Sequence, residues 1–222
     1  MNLRPMLLGN ALLIAAIAGL TGWAWGQVPE GTLLPVHFGI DGTPDRQGSR
    51  AEALLIMPAL AVLVTFIFWI TPRLDPRRAN IEASGKFWNA IAISVVAFLT
   101  YMQTLIVLSV TGHQVNVTDS LVPALGLLFV VIGNYLSKTR ANWFGGIRTP
   151  WTMSSDYSWN RTHRVGGTLY ILSGFASIAA WALLDTKPAV ITLIALILGS
   201  SLLTVVLSYW FWRQDPARSH DA

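Results

Sequence analysis

The sequence predicts an all-α membrane protein, a bundle of six transmembrane helices with a short cytosolic interfacial helix, and three observations carry that prediction. Hydrophobic residues make up 53% of the 222 residues against 12% charged, about half of the roughly 25% charge that a wetted globular surface carries. Six windows are long and apolar enough to cross a hydrocarbon core, which takes roughly 20 helical residues. Tryptophans stand at the ends of several windows (Trp23, Trp25, Trp69, Trp88, Trp210, Trp212), where an indole keeps its N–H among headgroups and its ring in lipid.

The windows are approximately 6–26, 51–71, 87–110, 120–136, 165–184 and 188–212, in a single integral membrane domain spanning 1–222. Arg4 and the triplet Ala24-Trp25-Gly26 also give the first window the outline of a signal peptide. Its length and paired tryptophans favour a retained span. Gly22 and Gly26 have the spacing of a close helix contact, which in so Gly-rich a span reads as chance. Pro58 is expected to kink the second span, and Pro123 falls in the first turn of the fourth, where its missing N–H costs little. Asp185-Thr186-Lys187 joins the last two spans in a tight helical hairpin.

Lysine and arginine set the orientation. Arg4, the loop with Arg73, Arg77, Arg78 and Lys86, the loop with Lys138, Arg140, Arg148, Arg161 and Arg164, and the tail with Arg213 and Arg218 share one side, twelve cations in all. The other side has three, Arg46, Arg50 and Lys187. Both termini are therefore expected in the cytoplasm, the chain lying in an inner membrane with segment 27–50 exported and segment 137–164 cytosolic. The net charge of +4 is then topological; no basic stripe interleaved with aromatics suggests direct nucleic-acid binding. The chain has no cysteine, which excludes disulfides, Cys-ligated metals and thiol catalysis.

Ionisable groups at membrane depth mark ion or proton pathways, and the span centres hold none. Asn10, Gln103, Thr104, Asn134, Ser200 and Ser201 supply only mild polarity, read as hydrogen bonds between helices. A transporter or channel for a small solute or peptide is the alternative reading; a cavity shared by Asn10, Gln103 and Asn134 would favour it.

The exported segment is dense in turn formers. Leu34, Val36 and Phe38 alternate with Pro35 and His37 in a short extended stretch, Asp41-Gly42 and Thr43-Pro44-Asp45 each set a turn, and Gly48 is placed to take positive φ. His37, Asp41 and Asp45 are spaced for a metal or acid–base site, but lack a fourth-ligand pattern. The plainer reading has both aspartates capping turns and His37 bonded within the loop. So constrained a loop is suited to reading a ligand, and Pro35, His37, Asp41, Gly42, Asp45, Gly48 and Ser49 are its candidate residues.

The cytosolic segment carries too many aromatics for a plain solvated loop: Trp143, Phe144 and Trp151 are expected against the membrane face. Ser154 or Ser155 reads as the N-cap of a helix through Arg164, with Asp156 in its first turn and Trp159 and His163 on one face. This segment serves either as an amphipathic interfacial helix or as a docking surface for a cytosolic partner. The candidate docking residues are Asn134, Asn142, Arg148, Thr149, Trp151, Trp159 and His163. No enzyme, metal or cofactor is expected. His-Glu-x-x-His, Gly-x-Ser-x-Gly and Walker patterns are absent, and Ser155, Asp156 and His163 on a single helix lack the directions of a relay.

At these two loops the chain resembles the SdpI immunity-protein family. The first module of that resemblance is Pro35, His37, Phe38, Gly42, Asp45, Arg46, Gly48, Ser49 and Arg50, with Gln47 departing where an aromatic residue is expected. The second, more specific, is Gly133, Asn134, Lys138, Asn142, Phe144, Gly145, Ile147 to Thr152, Trp159 and Thr162 to Arg164. The resemblance implies a bacterial membrane protein that protects its cell from a secreted peptide toxin. From the family's best-known member it also implies holding a transcriptional autorepressor at the membrane when toxin is present.

Overall fold

A computed structural model describes residues 1–217; Arg218, counted above among the cytosolic cations, lies outside the described residues. In chain order the elements are α1 (Arg4–Gln27), strands β1 (Leu34–Phe38) and β2 (Pro44–Gly48), α2 (Arg50–Leu74), α3 (Arg78–Ala83), α4 (Gly85–Val110), α5 (Val117–Leu136), α6 (Pro150–Ser154), α7 (Asp156–Leu183) and α8 (Thr186–Arg213). Six of the helices, α1, α2, α4, α5, α7 and α8, are long and apolar enough to cross a membrane. The shortest of them, α5, has 20 residues, about 30 Å of helix and so one hydrocarbon thickness. Three of the six open on a side-chain cap: Ser49 accepts from Glu52 N–H, Asn116 from Asp119 N–H, and Ser155 from Ser158 N–H. Each has an acid in its first turn (Glu52, Asp119, Asp156) that opposes the helix dipole.

The helices pack as two groups of three, α1, α2 and α4 in the N-terminal half and α5, α7 and α8 in the C-terminal half, joined along α4 and α5. The α5–α7 contact is the most extensive, and glycines set it. Gly126 faces Gly174 and Gly133 faces Gly167; a Cβ on Gly133 would lie 2.5 Å from the Gly167 carbonyl oxygen. Missing side chains here let two backbones touch, which favours association in lipid, where apolar burial drives little. Gly22 and Gly26, by contrast, face open space.

In the N-terminal half, Asn10 donates to Thr65 at 3.0 Å, and Gln103 donates to Thr21 at 2.8 Å and to the Leu54 carbonyl at 3.2 Å. Both bond between helices, whereas Asn134 is exposed at the end of α5.

Local expectations differ from the structure along α7 and at Gly48, as well as in the hairpin described below. The helix opened by Ser155 does not stop near Arg164 but runs into the fifth span as α7. Nothing between Asp156 and Val165 breaks it, and Gly166 and Gly167 continue the helix while packing where a side chain would collide. A separate short helix, α6, precedes it and is opened by a capping box between Thr149 and Thr152. Gly48 does not take positive φ; it is needed because a Cβ there would strike the Glu52 carboxylate and Val36.

Candidate functional site

The polar residues singled out in the sequence gather at opposite ends of the bundle. At one end, β1 and β2 form an antiparallel hairpin, with Leu34 opposite Gly48 and His37 opposite Arg46. Gly42 takes φ +85° in its turn. Asp41 accepts from Thr43 N–H at 3.0 Å and from Thr43 Oγ1 at 2.7 Å, and these bonds hold its carboxyl below the usual carboxylate range. Pro44, expected in a turn, starts β2. Asp45 caps nothing; it meets His37 Nδ1 at 2.6 Å, both side chains largely in solvent. Asp41 is thus turned to its own backbone and the His37–Asp45 pair stands apart from it. Among the described residues, no three His, Cys, Asp or Glu side chains group closely enough to hold a metal ion.

The base of the hairpin is tied to its own half. Arg46 meets Glu52 at 2.6 Å, and Arg50 lies over the Trp25 ring while donating to the carbonyls of Trp25 and Val28. Its tip, however, rests on the C-terminal half. Thr118 of α5 donates to the Gly39 carbonyl, and Gly42 lies against Asn116, with no room for a Cβ between them.

At the opposite end, the loop from α5 to α6 is wound around Asn142, which is fully buried. Its Nδ2 donates to Thr139, to the Arg140 carbonyl and to the Gly145 carbonyl, and its Oδ1 accepts from the N–H groups of Phe144 and Gly145. Trp159 and His163 are each 1% exposed and stack at 4.0 Å between ring centres. Trp159 Nε1 donates to the Thr139 carbonyl at 3.0 Å, and His163 Nε2 accepts from Ile147 N–H at 2.8 Å. Thr149 is buried and shares a hydrogen bond with Ser208 of α8 at 2.9 Å. Trp151 is half-buried against Tyr209.

Of the seven residues expected at a docking surface, Asn142, Thr149, Trp159 and His163 therefore point inward and form the core of this end. Asn134, Arg148 and Trp151 remain accessible. Trp143 and Phe144, expected against the membrane face, are exposed on the same loop, and Arg148 donates to the Trp143 carbonyl. The loop in turn rests on the N-terminal half: Asp75 accepts from Trp143 N–H at 2.8 Å, Asn80 donates to the Ala141 carbonyl at 2.7 Å, and Ser84 accepts from Arg140 N–H at 2.9 Å. Sequence reading missed these three partners. Each lies more than fifty positions from the residue it holds, and no local pattern links them.

A hydrolytic relay does not assemble here. Ser155 bonds Asp215 at 2.5 Å, and both nitrogens of His163 are engaged by backbone groups.

Comparison with known proteins finds two matching segments. Residues 138–209 match the model of the SdpI/YfhL protein family, and residues 12–62 match a domain of unknown function (DUF1648). The first segment takes in the Asn142 loop, α6, α7 and most of α8; the second runs from α1 through the hairpin into α2. The chain is 23% identical over 166 residues to the immunity protein SdpI of Bacillus subtilis, covering 75% of this chain and 77% of that protein. It is 42% identical over 83 residues to an uncharacterized protein of Archaeoglobus fulgidus, covering 33% of this chain and 44% of that one, less than half the relative's length. No solved structure matches the chain.

Proposed function

We propose that the chain, whose residues 138–209 match the SdpI/YfhL protein family and which is similar over 75% of its length to an immunity protein, is a non-enzymatic immunity protein of the membrane, protecting its cell against a secreted antimicrobial peptide. The hairpin end faces outside and the Asn142 loop faces the cytoplasm, as the twelve-to-three division of lysine and arginine supports. The hairpin meets the agent. The loop end holds a soluble transcriptional repressor at the membrane while the agent is bound. The accessible residues Asn134, Arg148 and Trp151 make that contact, and buried Asn142, Thr149, Trp159 and His163 hold them in place.

The observation that carries this reading is reciprocal strapping. The N-terminal half sends its hairpin onto α5 through Gly39 and Thr118, and the C-terminal half sends its loop onto the end of α2 through Trp143 and Asp75 and onto α3 through Ala141 and Asn80. A ligand that shifts the hairpin acts on both halves at once, and a shift between halves is felt at the loop. A two-state arrangement biased from one side is what transmembrane signalling requires.

Expression of the full chain in a sensitive host tests the first part. It should raise the dose of culture supernatant from a peptide-secreting strain that arrests growth; a host as sensitive as its empty-vector control overturns the reading. The repressor is tested separately, by its fractionation with membranes only when that supernatant is present.

A further inference from the structure

Between the hairpin and the bundle lies a cleft of about 350 Å³, walled by Val36 and Phe38 of the hairpin, Met57 of α2, Met102 of α4, Leu121 of α5 and Val190 of α8. Both halves therefore build it, with the hairpin as one wall. Its volume is at the low end of small-molecule sites, room for one or two bulky apolar side chains. The two thioethers suit an occupant whose shape is not tightly specified, because unbranched methionine repacks readily.

Charge narrows the class of occupant. This end carries six carboxylates (Glu30, Asp41, Asp45, Glu52, Asp119, Asp185) against three cations (Arg46, Arg50, Lys187). Two of the cations are already engaged, Arg46 by Glu52 and Arg50 by Trp25 and backbone carbonyls. Asp45 pairs at 2.6 Å with His37 of the cleft lining, and its side chain is still about half exposed and open to a second cationic partner. An apolar cleft under a net negative surface favours a ligand that is apolar at one point and cationic beside it.

We propose that this cleft binds a cationic amphipathic peptide segment, one bulky apolar side chain entering between the hairpin and the two halves and an adjacent basic side chain meeting Asp45. This rests on the reading of the chain as an immunity protein and adds the chemistry of the agent it meets.

The chain has no cysteine, so Leu121→Cys places a single thiol in the cleft. The full-length variant in lipid nanodiscs is treated with N-ethylmaleimide in the presence of acetyl-Phe-Arg-amide or acetyl-Phe-Glu-amide. The arginyl peptide should slow labelling saturably by about threefold or more, at the millimolar concentrations expected of so small a ligand. The glutamyl peptide should not, and adding Asp45→Asn should abolish the difference. Equal protection by both peptides, protection by neither, or a thiol that the reagent never reaches because lipid tails or the hairpin close the cleft each overturn the proposal.

A second arm separates this proposal from the immunity reading. Leu121→Trp, or Val36→Trp on the hairpin if the first does not accumulate, fills the cleft and should abolish protection in cells at wild-type abundance. A filled cleft that still protects overturns the cleft and leaves the immunity reading standing. A wild-type chain that never protects, with peptide-selective labelling intact, does the reverse.

Discussion

The imidazole of His163 accepts the backbone N–H of Ile147 at 2.8 Å while its other nitrogen donates to the carbonyl of Trp159 at 2.7 Å. Only a neutral ring with its proton on Nδ1 makes both bonds, because an N–H can only donate and a carbonyl can only accept. The pair ties the loop to α7. Gly146 beside it takes φ +110°, and a Cβ there would fall on Nε2. Loop conformation, glycine and imidazole are therefore one unit.

His163→Ala should cost about 2–4 kcal/mol, from a cavity beside Trp159 and an unsatisfied buried N–H on Ile147. His163→Phe fills the space but still strands that N–H, at about 1–3 kcal/mol. Thermal unfolding in detergent and membrane abundance should fall together for both variants. Normal melting of His163→Ala would show that the staple does not stabilise this end.

Arg148 behaves differently, because it is exposed and its side chain bonds the Trp143 carbonyl on the loop surface. Arg148→Ala should change stability by less than about 1 kcal/mol. It should release the cytosolic partner from the membrane fraction while leaving protection intact. Joint loss of abundance and protection would make Arg148 a folding residue instead.

At the hairpin, His37 and Asp45 pair in solvent, an interaction worth about 0–1 kcal/mol. His37→Ala and Asp45→Ala should therefore leave abundance unchanged and yet abolish protection in the growth assay. Normal protection by both variants would leave the pair with no part in function. Protection that depends on added divalent metal would instead revive a metal-binding role for the loop.

The glycine seam makes a packing prediction with its own control. Gly133→Ala and Gly174→Ala force α5 and α7 apart and should each destabilise by about 1–3 kcal/mol. Gly22→Ala, where nothing lies within 4 Å, should be neutral or slightly stabilising through helix propensity. Melting temperatures of the three variants decide it; equal effects would remove the seam from the stability of the C-terminal half.

Orientation is checked by fusion reporters active only outside the cytoplasm. Fusions after Gly39 or Asp185 should be active and fusions after Arg78 or Trp151 silent. A fusion after Ala222, which lies outside the described residues, should be silent as well. Activity at Ala222 would require an odd number of spans.

The six spans were legible without coordinates because the requirement is local: about 20 consecutive apolar residues either occur or do not. The ordered character of the two polar segments was legible for a similar reason. Turn chemistry at Asp41-Gly42 and the Ser155 cap act within a few residues, and the extended stretch of β1, the turn after it and the start of α7 followed, whereas β2 did not. The Trp159–His163 pair was also readable as one helix face from its spacing of four.

Which way that face points was not readable. Trp159 and His163 look equally apt for lipid, a partner or a core until Thr139 and Ile147 supply the hydrogen-bond partners that bury them. The crossing straps, Gly39 on Thr118 and Trp143 on Asp75, join residues 79 and 68 positions apart, and no periodicity encodes such a pairing. The glycines of α5 and α7 gained meaning only when two helices brought Gly126 to Gly174 and Gly133 to Gly167. Hydrophobicity and capping act along the chain, whereas burial, close backbone contact and the cleft under the hairpin exist only once separate segments have been brought together.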